Sequence, residues 1–312
     1  MPLLNSGYLA NWYKMSLPQF DNKGNMLAST YEVLVENYTE SKVQDAQNKA
    51  MIQGDIGVHI MDIGTLYYTA SISSPVLVPY TTEFNDIFDT IVYFTNKQRE
   101  AQNGTFGLTY LLENARIEVT TDAVRATGNF VGDTAVASAV PNYSAQVDLI
   151  ARTARFYDTY FYFGEITDSG QFPVISGEIN LKFDIDKNYF LGQMWRYNDD
   201  NQFVPSQSPF FSIRGYSATG NITVGLSPAQ YVTLTALYAE QKPGVLVGNS
   251  GNIGVYIKQD PGAKILNLGT AFVITKIEFS MKQNSIITAT LEFNAFFNNA
   301  IGELNSFKTT KN

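Results

Sequence analysis

The sequence predicts a mainly β protein made of two tandem, related β-barrel or β-sandwich modules with a few flanking helices. Apolar and polar residues alternate with a period of two along the clearest runs, the mark of half-buried strands. Gly and Asn interrupt these runs at short intervals, as in sandwiches and barrels rather than in folds that alternate strand with helix. Four short segments of the first half recur, in the same order, in the second half.

Tyr31, Leu34, Tyr38, Glu40 and Lys42 return at unchanged spacing as Tyr231, Leu234, Tyr238, Glu240 and Lys242. Gly54–Ile60 returns as Gly251–Ile257, Ile63–Tyr67 as Leu268–Phe272, and Glu83–Asp89 as Glu292–Asn298. Their shared order, rather than any one match, indicates an ancestral unit used twice. Two related surfaces on one chain let three chains close a ring with near-sixfold contacts. A two-domain monomer with diverged halves is the alternative. Thr95 to Asn201 has no evident second copy, so this stretch is either an insertion in the first half or a region whose partner has diverged.

Along the chain, Phe84, Ile87, Phe88, Ile91 and Val92 share one helical face, ahead of the polar end Asn96–Glu100. This predicts a helix near 82–100 with Thr81 or Thr82 as its cap. Val147, Ile150, Ala151 and Ala154 form a second helical stripe beginning near Ser144. Ile179, Leu181, Phe183 and Ile185 alternate with polar residues and predict a strand, as do Tyr231, Thr233 and Thr235. Ile277, Phe279 and Met281 precede Lys282-Gln283-Asn284-Ser285, after which Ile287, Ala289, Leu291 and Phe293 resume, which predicts a hairpin. Phe293, Phe296, Phe297 and Ile301 fit either a helix or a continuation of that strand.

Composition narrows the function. Charged residues make up only 16%, against roughly 25% in average soluble proteins, while aromatics reach 13%. Such a weakly charged surface suits a protein whose exterior is occupied by neighbours, and equally an ordinary β-rich protein. The net charge is −8 with no polybasic arm, which disfavours direct nucleic acid binding. The absence of cysteine removes disulfides, thiolate nucleophiles and Cys-based metal sites. Met1–Tyr8 lacks the features of a secretion signal, and no apolar run is long enough for a membrane-spanning helix. Synthesis in a cytoplasm is expected. Four glycosylation-type triplets, beginning at Asn37, Asn103, Asn142 and Asn221, carry little meaning in so Asn-rich a chain.

No constellation of catalytic residues stands out. His59 is the single histidine, and Val58 and Ile60 place it in a strand-like run, so packing or surface exposure is favoured over a catalytic base. No nucleophile elbow and no phosphate loop of standard form occurs. Asp184-x-Asp186-x-Asn188 resembles the opening of a calcium loop, but Tyr189 and Trp195 stand where Gly and Glu are required. Asp199-Asp200 reads as a polar loop or a weak cation site at a subunit contact. The expectation is therefore a protein that is not an enzyme, with no catalytic, cofactor-binding or metal residues and no cofactor. Leu3, Leu4, Tyr8, Leu9, Trp12 and Tyr13 make the N-terminus aromatic and weakly amphipathic, suited to its own domain, a neighbouring subunit or a lipid interface.

A duplicated, mainly β chain of this length, without cysteines, signal peptide or catalytic motif, resembles the double jelly-roll major capsid proteins of tailless, membrane-containing icosahedral bacteriophages. Its Asn-, Tyr- and Phe-rich composition is similar to that of Flavobacterium-type hosts. The resemblance rests on Tyr31–Lys42, Gly54–Tyr67 and Glu83–Asp89 with their counterparts between Tyr231 and Asn298. It implies two jelly-roll domains, over 1–165 and 166–312, and a homotrimer of pseudo-hexagonal outline that tiles a shell with other trimers. It also implies minor virion proteins as partners, and an internal membrane within reach of the N-terminus. A phage tail tube or hub protein is the alternative virion component, since duplicated β domains let a trimer match a sixfold tube. A carbohydrate-binding or hydrolytic β-sandwich is the alternative from a different class.

Overall fold

The structure is a computed structural model that describes residues 13–20, 26–50, 59–79, 85–101, 110–132, 151–164, 170–188, 194–197, 203–206, 210–239, 252–259, 262–281 and 285–297. The first part of the chain forms β1 (Tyr13–Phe20), β2 (Met26–Val35), β3 (Asn37–Ala50), β4 (His59–Pro75), β5 (Leu77–Pro79), helix α1 (Ile87–Ala101), β6 (Tyr110–Val119), β7 (Val124–Gly132) and β8 (Ala151–Thr153). The second forms β9 (Thr159–Phe163), β10 (Gln171–Asn188), β11 (Met194–Tyr197), β12 (Phe203–Ser206), β13 (Phe210–Leu226), helix α2 (Pro228–Ala239), β14 (Ile253–Lys258), β15 (Ala263–Gly269), β16 (Ala271–Ser280) and β17 (Ile287–Phe296).

The protein is mainly β and is organised around one large antiparallel sheet of 11 strands. Eight of these run side by side in the order β3-β4-β7-β6-β10-β13-β17-β16. The other three fork away at the start of β10, where Gln171–Pro173 pair with β9, and β14 and β15 follow outward. Gly177 marks the fork. Its φ of 149° lies where side chains are rarely tolerated, and a Cβ there would meet the Asn221 carbonyl of β13.

Alternation sets which face is covered. Ile117, Ile179, Ile222, Leu291 and Phe293 point to one side and are buried, while Arg116, Asn180, Asn221 and Asn294 point to the other. On the apolar side, α1 lies over β6, β7 and β4, with Phe94 edge-on to Phe130 at 5.1 Å between centroids. The forked strands fold back over β16 and β17, so that Phe161 meets Phe293 at 4.9 Å and Phe163 meets Phe272 at 5.0 Å. At the corner between β15 and β16, the Thr270 amide donates to the Phe296 carbonyl. One large core results, with a small separate cluster of Leu34, Leu77 and Ala151.

The helices differ from the sequence expectation in instructive ways. The predicted helix near 82–100 is α1, but its cap is Asp86. The Asp89 amide donates to Asp86 Oδ1 at 3.0 Å and the Asp86 amide to Asp89 Oδ2 at 3.1 Å, a reciprocal capping pair. Thr81 and Thr82 lie outside the described residues. Where a strand was expected at Tyr231–Thr235, α2 forms instead. Ser227 and Gln230 cap it reciprocally, Pro228 opens it, and Thr233 and Thr235 donate back to the Ala229 and Tyr231 carbonyls. Of the second stripe, Val147 and Ile150 lie outside the described residues, and its other two are extended, with Ala151 in β8 against β5 and the Ala154 amide bonded to the Val76 carbonyl. Tertiary pairing overrides the helical spacing there. Phe293 and Phe296 continue the strand.

Candidate assembly edges and polar face

The eight-strand run divides into two sets with the same internal order: β3-β4-β7-β6 and β10-β13-β17-β16. Each set is a hairpin, then a helix, then a second hairpin whose strands add in reverse order, so that its later strand abuts the first hairpin. The register agrees residue by residue. The β6–β7 hairpin bulges between Leu112 and Asn114, and the β16–β17 hairpin between Ile274 and Lys276. Phe130 pairs with Leu112 and Phe293 with Ile274, each on the residue before the bulge. On their other side Phe130 faces Ala70 and Phe293 faces Gly220, both small. Two residues further, Ile72 and Ile222 correspond.

The segments matched in sequence are not these equivalents. Tyr31–Val35 is strand where Tyr231–Ala239 is helix, and Asp86–Asp89 opens α1 where Glu292–Phe296 is strand. Ile63–Tyr67 lies within β4, whereas Leu268–Phe272 spans the corner from β15 to β16. Gly54–Val58 lies outside the described residues. The equivalence lies in strand order and bulge position, which short identity blocks do not register.

The two sets join where β6 pairs with β10, Gly177 through Lys182 facing Val119 through Asn114. Arg116 reaches across this seam to Glu178 at 2.6 Å and along its own strand to Glu118 at 3.8 Å. A second tie is buried. Lys264 of β15 sits 2.8 Å from Asp86 Oδ2 and 2.6 Å from Asp89 Oδ2 at the start of α1, and the Leu77 amide donates to Asp86 at 2.6 Å. Burial lifts the Asp86 carboxyl to about 6 against the pull of Lys264, and the two carboxylates hold the Lys264 ammonium above its ordinary value despite its own burial. At neutral pH the cluster is an ion triad that clamps α1 to β15 of the forked strands.

Among the described strands, β3 pairs only with β4 and β16 only with β17, so each end of the run is an open edge. These edges are the counterparts of the two strands that meet at the seam: β16 corresponds to β6, and β3 to β10. Their burial differs accordingly. Ala115, Ile117 and Val119 of β6 and its end are 2%, 0% and 2% exposed. Their counterparts Ile277 and Phe279 are half-buried, and Met281 is 57% exposed.

Among the described residues, the polar face of the run is exposed and concave around β10, β13 and β17, forming a depression of about 750 Å³ lined by Glu178, Asn180, Asn221, Thr223, Glu292 and other residues. Hydroxyl and amide side chains dominate it. Asn129 donates to Asn114 at 2.5 Å, and the Thr223 and Thr290 hydroxyls share a hydrogen bond of 3.1 Å. Among the described residues its cations are paired: Arg116 with Glu178, Lys182 with Asp184, Lys276 with Glu278, and Arg125 with Glu36.

His59 begins β4 opposite Ala50, and its side chain is outside the described set. Asp184 and Asp186 lie in the strand β10, where Asp186 pairs with Arg214. No group of His, Cys, Asp or Glu suited to a metal ion occurs among the described residues, and no helix there is long and apolar enough to cross a membrane. Asp199, Asp200 and the N-terminal twelve residues lie outside them. Lys264, which the sequence reading passed over, has no local signal. Its partners do: Asp86 and Asp89 stand at capping spacing just before an apolar stripe.

No protein-family model matches the chain, and a search of curated proteins finds no match.

Proposed function

We propose that the chain is a structural virion protein whose copies join edge to edge into a ring, the building unit of a phage tail tube. One observation carries this reading: the seam between β6 and β10 is a working example, inside one chain, of the joint that the open edges β16 and β3 would make between chains. Heterologous contacts of this kind close into rings. Three copies, each a duplicated unit, would bring 24 strands into one barrel. At about 4.8 Å per strand its circumference is roughly 115 Å and its diameter roughly 37 Å before tilt. The concave polar face would line the bore. Its cations are neutralised by carboxylates, which suits a conduit that passes nucleic acid without exchanging its counterions.

A major capsid protein with two jelly-roll domains, over 1–165 and 166–312, is the other virion reading. It calls for two separate eight-stranded barrels, whereas one continuous run whose polar face is exposed among the described residues favours the tube. In either reading the protein resides in the virion, is made in the host cytoplasm, and has further copies of itself as its first partner. Negative-stain images with native mass determination test the proposal. Threefold rings or tubes support it. Pseudo-hexagonal plates or shells would return the capsid reading, and a monodisperse monomer at all concentrations would end both.

A further inference from the structure

The internal seam also fixes the register of the joint between copies. This inference rests on the edge-to-edge reading above and adds to it the identity of every facing pair. Bulge and Phe positions align Asn114 with Lys276 and Val119 with Met281. The facing small residues Ala70 and Gly220 align Glu40 with Ile179, and hence Tyr38 with Gly177 and Val43 with Lys182. Within the chain, Glu178 faces Glu118 and Asn180 faces Arg116. We propose that β16 of one copy pairs antiparallel with β3 of the next so that Thr39 faces Ser280 and Ser41 faces Glu278 on the polar side. On the covered side, Tyr38 then meets Met281, Glu40 meets Phe279 and Lys42 meets Ile277.

The occupant is a second copy of this chain because the covered side of β16 lacks what β10 supplies to β6. Ile277, Phe279 and Met281 form an apolar row that ends at the open edge, and their counterparts at the seam are fully shielded. A third strand there removes them from water. Glu40 and Lys42 on the covered side of β3 act in the opposite sense before assembly. Inward charges at an edge discourage indiscriminate strand addition, and in the joint the Lys42 stem lies along Ile277. The ion pair of the seam has no counterpart, since Glu178 is replaced by Thr39 and Arg116 by Glu278.

The chain contains no cysteine, so disulfide trapping is free of background. In assembled particles, Thr39→Cys with Ser280→Cys is expected to oxidise into a covalent ladder with loss of the monomer band on a non-reducing gel. Ser41→Cys with Glu278→Cys, the neighbouring facing pair, should do the same and covers the case in which the first variant does not fold. Ser41→Cys with Ser280→Cys is the shifted control. Diagonal pairs stand about 7–8 Å apart, beyond disulfide reach, so its monomer band should persist. Rings in which the shifted pair links and both facing pairs do not would overturn the register and leave the ring reading intact. A variant that remains a monomer in images, as does the parent chain, would overturn the ring reading and the register with it.

Discussion

Phe293 of β17 stands opposite Gly220 of β13, and its ring occupies the space that a side chain at position 220 would need. The same relationship, one methyl larger, holds between Phe130 and Ala70 in the first set. Gly220→Val is expected to destabilise the protein by about 1–3 kcal/mol through overpacking. Phe293→Leu in the same chain should recover part of that loss. Urea unfolding of both single variants and the double variant measures the coupling, and strict additivity would show that the two residues do not contend for one space.

Lys264 neutralises two carboxylates, the fully buried Asp86 and the partly buried Asp89. Lys264→Met leaves Asp86 and Asp89 facing each other unpaired, at an expected cost of about 3–5 kcal/mol. Adding Asp86→Asn and Asp89→Asn should restore much of it. Chemical denaturation of the single and triple variants decides whether charge, rather than side-chain volume, holds the clamp.

The pH dependence of stability combines opposite signs. Burial alone would raise the Asp158 carboxyl, but two hydrogen bonds from Arg152, at 2.6 and 2.7 Å, and one from the Arg155 amide hold it below its ordinary value. Its contribution is complete above the unfolded value of 3.8 and drains away as pH falls through the lower folded one. Asp86 acts the other way. With a folded value of about 6 against 3.8 unfolded, the native state keeps a proton across that window that the unfolded chain has released, so acidification there adds stability. Lys264 contributes below 10.5 and the contribution is lost as pH rises through its higher folded value. Asp158→Asn should flatten the acid limb of a stability–pH curve below about pH 4, and Lys264→Met the alkaline limb above about pH 10.

Helix α2 depends on its cap and one anchor. Ser227→Ala removes the hydroxyl that accepts the Gln230 amide and should cost about 0.5–2 kcal/mol. Leu234→Ala, at the helix's one fully buried position, should cost about 2–5 kcal/mol. Hydrogen exchange on residues 228–239 reports both, with faster exchange expected there than in α1.

Glu40→Ile gives β3 the residue that β10 carries at the matching position, Ile179. Assembly should begin at lower protein concentration and yield more irregular aggregate, because an inward charge has been taken off an open edge. Sedimentation velocity across a dilution series reads both effects.

Much of this fold was legible in the chain and some was not, for identifiable reasons. Period two exposed the strands at Ile179–Ile185 and Ile277–Phe293, and a wide apolar stripe exposed α1. Tyr231–Thr235 deceived because a helix with one buried residue carries almost no stripe, while the cap signal Ser227-Pro228-x-Gln230 lay in view. The likeness of the two strand sets lies in the placement of a bulge, a Phe and a small residue opposite it, which takes pairing to see. The open edges were unreadable for the same reason: an edge is defined by the strand that is missing.

The two helices that follow the first hairpin of each set are unequally clad. α1 is roofed by β2 and by Lys264 of β15, whereas α2 leaves Val232 at 66% and Tyr238 at 42% exposure. A body assembled from three such chains would therefore show one symmetry to whatever travels through it and another to whatever touches its outer wall. The interior would repeat every unit. The exterior would carry three greasy knobs per ring, spaced a third of a turn apart, where an enclosing sleeve or the adjoining ring would find purchase and lose the freedom to rotate in sixths.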